Sequence, residues 1–188
     1  MSLREIIKVP NPFLKVTAKP VTVIDEDILT ILDDMMETMY HANGIGLAAT
    51  QIAIDKRLIV MDCGKTKYET QNISEEEYNE KIKDEQIEPF PIKMINPEII
   101  SLGKNLEERE EGCLSIPGYN AKIKRPSSLK VKYTDENKKD NIIDAEGLLA
   151  TCIQHEIDHL NGILFIDHLS KLKREIILKK AIKEYSKN

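Results

Sequence analysis

The sequence predicts a domain that mixes helices with short strands, and three patterns along the chain support this. An amphipathic helical pattern covers residues 25–40, short apolar runs typical of strands occupy the middle of the chain, and two further helical patterns follow Gly147. The 188 residues match the length of one ordinary domain, and no internal repeat or linker divides them. We therefore expect a single domain spanning residues 1–188.

The first helix is predicted over Asp25 to Tyr40. Acidic residues fill its first turn, where the helix dipole favours them, and Asn43-Gly44 supplies a stop. A stripe of apolar residues recurs at helical spacing: Ile28, Ile31, Leu32, Met35, Met36 and Met39. We interpret this stripe as core packing, with an adaptable binding surface as the alternative.

The middle of the chain contains the predicted strands. Short runs of apolar and β-branched residues occur at Arg57–Asp62, Ile92–Ile95, Ser128–Tyr133 and Asn141–Asp144. Residues 64–90 are polar and rich in charge, and Ser74 and Glu77 have the spacing of a capping box. We expect this stretch to be a surface insertion with one short helix.

Two helices are predicted at the C-terminal end. The first starts at Gly147, ends at Asn161-Gly162, and has an apolar face formed by Leu148, Leu149, Cys152, Ile153, Ile157 and Leu160. The second starts after Ser170, a residue type that caps helices, and has an apolar side formed by Leu172, Ile176, Ile177, Ala181 and Ile182. Its other side is rich in lysine.

Composition excludes several classes of protein. The net charge of −5 and the pI near 5.5 disfavour a DNA-binding domain, because phosphate binding needs a concentrated basic surface. No apolar run has the length of a signal peptide core or a membrane span, and the three cysteines form no closely spaced framework. We expect a cytoplasmic protein with free thiols and no membrane association.

A candidate metal site lies in the predicted helix after Gly147. His155, Glu156 and His159 form an HExxH pattern. Residues four apart lie on one helix face, so the two imidazoles can bind one ion, while Glu156 points toward a water molecule on that ion. The alternative is a pair of ordinary helix histidines, but two rings on an apolar face need polar partners, and a shared cation satisfies both.

A catalytic metal site of this type needs a third protein ligand and an open position. Cys152 is too far from His159, since seven residues span about 10 Å along a helix. Cys113 is the better candidate, because Gly112, Pro117 and Gly118 let the backbone around it bend tightly. For Cys113 alone, a buried thiol beside a turn is the alternative interpretation.

A glycine-rich segment covers residues 44–51 (GIGLAATQ). It lacks the patterns of nucleotide-binding loops. Its small residues suit either the close approach of an extended ligand, with Gln51 as a donor, or simple tight packing.

Three segments together resemble the signature motifs of the peptide deformylases: GIGLAATQ at 44–51, EGCLS at 111–115 and QHEIDHLNG at 154–162. The resemblance also covers the early helix, the INPEI run at 95–99 and the helical C-terminus, which is similar to the bacterial type 1 form. It implies an α+β fold in which antiparallel strands pack around a central helix that carries the two histidines. It also implies that residues 1–188 form one catalytic domain.

The resemblance implies a role for each matching residue. Cys113, His155 and His159 would bind the ion, and Glu156 would act as general base and acid. The Gln51 side chain and the Leu114 amide would face the oxyanion. Ile45, Gly46 and Gly112 would contact substrate, while Glu111 and Arg125 would form an ion pair behind the cysteine loop, although each could instead be an unpaired surface charge.

The implied reaction is hydrolysis of the formyl group from the N-terminal formylmethionine of newly synthesised proteins, with attack by a metal-bound water. The implied cofactor is one divalent ion, Fe(II) in the cell, while Zn(II), Ni(II) or Co(II) also suit a thiolate and two imidazoles. The implied partners are nascent formylated polypeptides. The lysine-rich last helix suggests docking to the ribosome, with a solvated helix face as the alternative.

Two other functions are compatible with the HExxH pattern. A zinc endopeptidase would take a downstream third ligand, for which His168 is the candidate. A structural metal site in a non-enzymatic module would need four protein ligands, and the sequence offers three. Asn43 stands where many peptide deformylases have an acidic residue, and Asn120 stands where some have an arginine at the substrate entrance. These two departures concern contacts at the entrance and product preference.

Overall fold

A computed structural model of the chain describes residues 2–64 and 88–186. Within these ranges the chain forms α1 (Glu26–His41), β1 (Gly46–Ala48), β2 (Leu58–Asp62), β3 (Pro91–Leu102), β4 (Leu106–Gly112), β5 (Asn120–Pro126), β6 (Ser128–Thr134), β7 (Asp140–Glu146), α2 (Gly147–Leu160) and α3 (Lys171–Tyr185). Short 3₁₀ helices occur at Pro12–Lys15, Ala49–Ile52 and Phe165–His168. Most of the predicted insertion at 64–90, including Ser74 and Glu77, lies outside the described residues.

The strands form two antiparallel sheets. The larger sheet has the order β1-β2-β3-β6-β7, and β4 pairs with β5 in a separate two-stranded hairpin. The register of the hairpin places Gly112 opposite Asn120 and Glu111 opposite Ala121. Separate helices and purely antiparallel pairing make this an α+β fold, which confirms the prediction.

Helix α2 lies at the centre of the molecule. Ten of its 14 residues are buried, so the helix contacts protein on nearly every side. Its residues Ile153, Ile157 and Leu160 belong to a core cluster that includes Ile59 and Met94 of the large sheet. The two histidines therefore sit on a rigid element inside the core, as expected.

Helix α1 packs against the same sheet through its methionine stripe. The Asp25 side chain caps the helix by accepting a hydrogen bond from the Ile28 N–H at 3.1 Å. Met35 and Met39 are fully buried in a cluster with Leu47 and Leu58. This confirms that the stripe is core packing.

Helix α3 differs from the amphipathic helix that the sequence predicts. Ser170 precedes it, but the Ser170 side chain makes no capping hydrogen bond, and Ala181 is its one buried residue. Leu172 and Ile176 are 69% and 45% exposed. The predicted helix is thus present, but of its apolar side Leu172 and Ile176 face outward while Ala181 is buried.

None of the helices in residues 2–64 and 88–186 combines the length and apolarity needed to cross a membrane.

Candidate metal centre and active-site cleft

Helix α2 presents His155 and His159 on one face, one turn apart. Their ring centroids are 4.9 Å apart, and the ring planes meet at 70°. The side chains are buried, with His159 only 1% exposed. This pairing follows from the helical period of 3.6 residues.

The turn that follows β4 brings Cys113 to these two rings. Cys113 Sγ lies 3.2 Å from His159 Nε2, and the candidate ligand atoms of Cys113, His155 and His159 all lie within 4.8 Å of one another. Two ligands at ordinary zinc–sulfur and zinc–nitrogen bond lengths in a tetrahedral arrangement are about 3.5 Å apart. The spacing and the S, N, N donor set therefore fit one divalent ion.

Within the described ranges, this is the one group of three or more His, Cys, Asp or Glu side chains close enough to hold a metal ion. Cys152 is outside it and is 4% exposed in the core. His168, the ligand expected for an endopeptidase, is also outside it. The structure therefore places the upstream cysteine beside the two histidines.

A buried ion pair fixes the orientation of His155. His155 Nδ1 donates to Glu111 Oε2 at 2.9 Å, and Arg125 donates to both Glu111 oxygens at 2.6 and 3.0 Å. Burial alone would raise the pKa of Glu111, but the hydrogen bonds from His155 and Arg125 lower this pKa to about 2. Because Nδ1 is engaged with the carboxylate, Nε2 is the ring nitrogen left to bind a metal ion, which requires that it carry no proton.

Glu156 is buried beside the cluster of candidate ligands. Its Oε2 is one of three buried side-chain polar atoms in the described part of the chain that lack a partner. Burial raises the pKa of Glu156 to about 7, although the His155 charge opposes this. A carboxyl group with a pKa near neutrality can both accept and release a proton.

His159 is in the neutral form that metal ions prefer. Burial holds its pKa well below the ordinary value, and the positive charges of His155, Lys15 and Arg125 lower it further. The neutral imidazole is the ligand form of histidine.

The cluster opens into a cleft of about 410 Å³. Its lining contains all the residues predicted to act on substrate: Ile45, Gly46, Gln51, Gly112, Leu114 and Glu156. Ile45 and Leu148 are 46% and 44% exposed and give the cleft an apolar surface. A groove of about 460 Å³ beside the N-terminal segment contains none of the three candidate ligands, so we assign the site to the smaller cleft.

Gln51 sits in the 3₁₀ helix that follows β1 and is held on both sides. Its Oε1 accepts from the Ala48 N–H at 2.9 Å, while its Nε2 donates to Ser115 Oγ at 3.2 Å and lies 3.5 Å from Cys113 Sγ. These contacts direct the amide of Gln51 toward the candidate metal ligand. The backbone N–H of Leu114, next to Cys113, has no hydrogen-bond acceptor among the described residues.

Two glycines allow the close approach of neighbouring elements. A Cβ at Gly46 would collide with Glu156 Oε1 and would lie 2.8 Å from Cys152 Sγ. A Cβ at Gly112 would lie 2.5 Å from Asn120 Oδ1. Tight packing against Glu156 therefore explains Gly46, and its contact with substrate stays a prediction.

Three residues near the site were not identified from the sequence. Asp158 accepts hydrogen bonds from both Arg125 and His168 at 2.8 Å, and the Phe165 ring stacks on His155. Ser115 holds Gln51. Asp158 lies three residues after His155 on the same helix, and this spacing indicates that it is near the site. The positions of Phe165 and Ser115 beside the site depend on the tertiary fold.

Comparison with known proteins gives the family. The family model described as polypeptide deformylase matches residues 3–175. A peptide deformylase of Bradyrhizobium diazoefficiens is 49% identical over 182 residues, which cover 96% of this chain and 95% of the relative. One of Methylocella silvestris is 47% identical over 180 residues, covering 96% of this chain and 84% of the relative.

Solved structures agree with these relatives. The crystal structure of peptide deformylase from Ehrlichia chaffeensis superposes with a TM-score of 0.85 at 38% identity, covering 99% of this chain and 98% of that one. The same protein in complex with actinonin gives a TM-score of 0.83 at 39% identity, with 98% of both chains covered. Sequence and fold thus agree along almost the whole length, and the chain belongs to the polypeptide deformylase family.

Proposed function

We propose that this chain is a metal-dependent hydrolase that removes the formyl group from the N-terminal formylmethionine of newly synthesised proteins and releases formate. The observation that carries the proposal is the cluster of Cys113, His155 and His159 beside the buried Glu156, whose Oε2 has no partner among the described residues. The family match over residues 3–175 supports treating the chain as one catalytic domain.

Cys113, His155 and His159 would hold one divalent metal ion. We propose Fe(II) as the native ion, and the donor set also suits Zn(II), Ni(II) and Co(II). Such an ion supplies a Lewis acid and lowers the pKa of bound water. Metal analysis of protein purified without oxygen tests the identity of the ion.

Glu156 would carry the proton in the reaction. Its carboxyl group lines the cleft, and its pKa of about 7 allows it to accept a proton from water near neutral pH. It can then donate that proton to the departing amine. Since Oε2 has no protein partner in the described residues, no competing hydrogen bond needs to break first.

Gln51 and Leu114 would stabilise the negative charge that develops on the formyl oxygen. Gln51 Nε2 is 3.5 Å from Cys113 Sγ, and the Leu114 N–H has no acceptor among the described residues. Donors that are already oriented need little reorganisation as the charge develops. Both Gln51 and Leu114 line the cleft.

The narrow space beside Gly46 would select the formyl group by size. The Gly46 backbone packs directly against Glu156, so a larger acyl group has little room there. We expect poor hydrolysis of N-acetylmethionine peptides. Equal rates on acetylated and formylated peptides would contradict this.

Nascent formylated polypeptides are the proposed substrates, and we accordingly propose a cytoplasmic location beside the ribosome. Helix α3 has exposed basic side chains at Lys171, Lys173, Lys179, Lys180 and Lys183, next to the exposed Leu172 and Ile176. This surface supports docking to ribosomal RNA, for which salt-sensitive binding is expected. Unchanged, salt-sensitive ribosome binding after deletion of the residues beyond Ser170 would contradict it.

The direct test of the proposal is formate release from a formyl-Met peptide. The metal-loaded protein should release formate, and metal removal by a chelator should abolish the reaction. Cleavage at internal peptide bonds without formate release would favour the endopeptidase alternative. The position of His168 outside the metal cluster does not favour that alternative.

A further inference from the structure

The short helix Phe165–His168 contacts the surroundings of His155 from two directions. At its first residue, the Phe165 ring stacks on the His155 ring, with centroids 6.3 Å apart and planes 21° apart. Phe165 is only 1% exposed, so this contact is fixed within the core. At its last residue, His168 begins a chain of hydrogen bonds that ends on His155.

This chain of hydrogen bonds has four links. His168 Nε2 donates to Asp158 Oδ2 at 2.8 Å, and Arg125 Nη1 donates to the same oxygen at 2.8 Å. Arg125 then donates to both oxygens of Glu111, which accepts from His155 Nδ1 at 2.9 Å. The chain joins a residue at the surface to a candidate metal ligand.

The chain becomes less exposed toward the metal centre. The exposed fraction of the side chain is 37% at His168, 17% at Asp158, 7% at Arg125 and 4% at Glu111. Charged hydrogen bonds in such buried surroundings are strong and directional. Arg125 is held at one end by Glu111 and at the other by Asp158, so the position of Asp158 affects how Arg125 orients Glu111.

We propose that His168 is a positioning residue for the metal centre, acting through Asp158, Arg125 and Glu111 on His155. This inference rests on the proposed metal-binding role of His155. His168 fixes Asp158, and Asp158 in turn fixes the outer end of the Arg125 guanidinium. Loss of His168 therefore loosens the hydrogen bond that sets the orientation of the His155 ring and hence of its Nε2.

A purely structural role of His168 can be distinguished from its proposed positioning role. The same short helix is anchored independently through Asp167, which accepts from the Leu164 N–H at 2.8 Å and pairs with Lys15 and Arg174. None of these contacts belongs to the hydrogen-bond chain. Asp167→Asn thus loosens the same helix without removing a link, and it is the matched control for His168→Leu.

The experiment compares wild type, His168→Leu, His168→Gln and Asp167→Asn, each loaded with Co(II). The readouts are the visible Co(II) spectrum, the Co(II) dissociation constant from chelator competition, and the unfolding temperature of the metal-free protein. Substitution of a direct partner of a metal-binding histidine typically weakens metal binding by about 10–100-fold. Because His168 acts through three intervening residues, we expect His168→Leu to weaken Co(II) binding by about three- to tenfold and to change the spectrum.

The two other variants complete the test. Glutamine retains a side-chain N–H donor at similar reach, so His168→Gln should restore the wild-type spectrum and affinity. Asp167→Asn should lower the unfolding temperature and leave Co(II) binding unchanged. His168→Leu with wild-type affinity and spectrum would overturn the positioning role.

A double-mutant cycle tests the route. If His168 acts through Asp158, then His168→Leu should have little further effect on Co(II) affinity in an Asp158→Asn background. Fully additive effects of the two substitutions would overturn the proposed route. Failure of the wild type itself to bind Co(II) would overturn the metal assignment, and the positioning role with it.

Discussion

Cys113 Sγ lies 3.2 Å from His159 Nε2, although 46 residues separate the two in the chain. The thiol comes from the turn after β4, and the imidazole comes from the buried helix α2. The β4–β5 hairpin and its Glu111–Arg125 pair hold these elements together. The candidate metal centre therefore depends on the fold as much as on its three ligands.

Replacing Cys113 should remove most of the metal affinity. A three-ligand site that loses its thiolate retains two imidazoles, so we expect Cys113→Ala to weaken Zn(II) or Co(II) binding by more than about 100-fold. Chelator competition measures this. Cys63→Ser is the matched control, because Cys63 lies outside the metal cluster, and it should bind metal like wild type.

The Gln51 amide should contribute to the rate rather than to binding. Loss of one donor to a developing oxyanion typically costs about 3 kcal/mol, so Gln51→Leu should lower kcat by about 10²–10³-fold with a smaller change in KM. Steady-state kinetics on a formyl-Met peptide measures both constants. A large rise in KM at constant kcat would instead assign Gln51 to substrate binding.

Gly46→Ala should inactivate the protein by displacing Glu156. The added Cβ would meet Glu156 Oε1 and would lie 2.8 Å from Cys152 Sγ, so the Glu156 carboxyl group has to shift away from its position beside the candidate ligands. We expect kcat/KM to fall by at least about 100-fold while metal content stays at the wild-type level. Wild-type kinetics in this variant would contradict the displacement of Glu156.

Glu156 should make the stability of the metal-free protein depend on pH. Burial raises its pKa from 4.5 to about 7 because the folded protein favours the neutral carboxyl group. The contribution of this group to the free energy of unfolding is therefore complete below pH 4.5 and is lost as the pH rises through 7. Glu156→Gln removes the charge and should stabilise the metal-free protein by about 3 kcal/mol at pH 8 but hardly at pH 4.5. Denaturant unfolding at both pH values measures this difference.

The exposed Glu110 on β4 lines the same cleft and serves as the control for the pH experiment. Glu110→Gln should leave the free energy of unfolding nearly unchanged at both pH values. An equal stabilisation by Glu156→Gln at pH 4.5 and pH 8 would contradict the assigned shift in the pKa of Glu156.

Local patterns in the sequence predicted the helices and the pairing of His155 with His159, because helical spacing alone places both rings on one face. The β4–β5 hairpin was not predicted. Its sequence from Leu106 to Gly112 is strongly charged and mostly exposed, so it has no apolar alternation. In α3 the apolar spacing does not indicate burial either, since Leu172 and Ile176 face outward.

The remaining parts of the site depend on contacts between distant segments. The resemblance to peptide deformylases suggested the Glu111–Arg125 pair. In the structure the β4–β5 hairpin brings these two residues together, and α2 brings His155 to Glu111. The links from Arg125 to Asp158 and His168 join β5, α2 and the Phe165–His168 helix. No periodic pattern in the sequence encodes such contacts.

We propose above all that Glu156 moves protons beside a metal site formed by Cys113, His155 and His159. The most direct measurement is formate release from a formyl-Met peptide by wild type and Glu156→Gln, loaded to equal metal content. We predict that Glu156→Gln retains the metal and loses about 10²–10⁴-fold in kcat, the usual contribution of a general acid–base group. A variant that keeps wild-type kcat at equal metal content would contradict this role of Glu156.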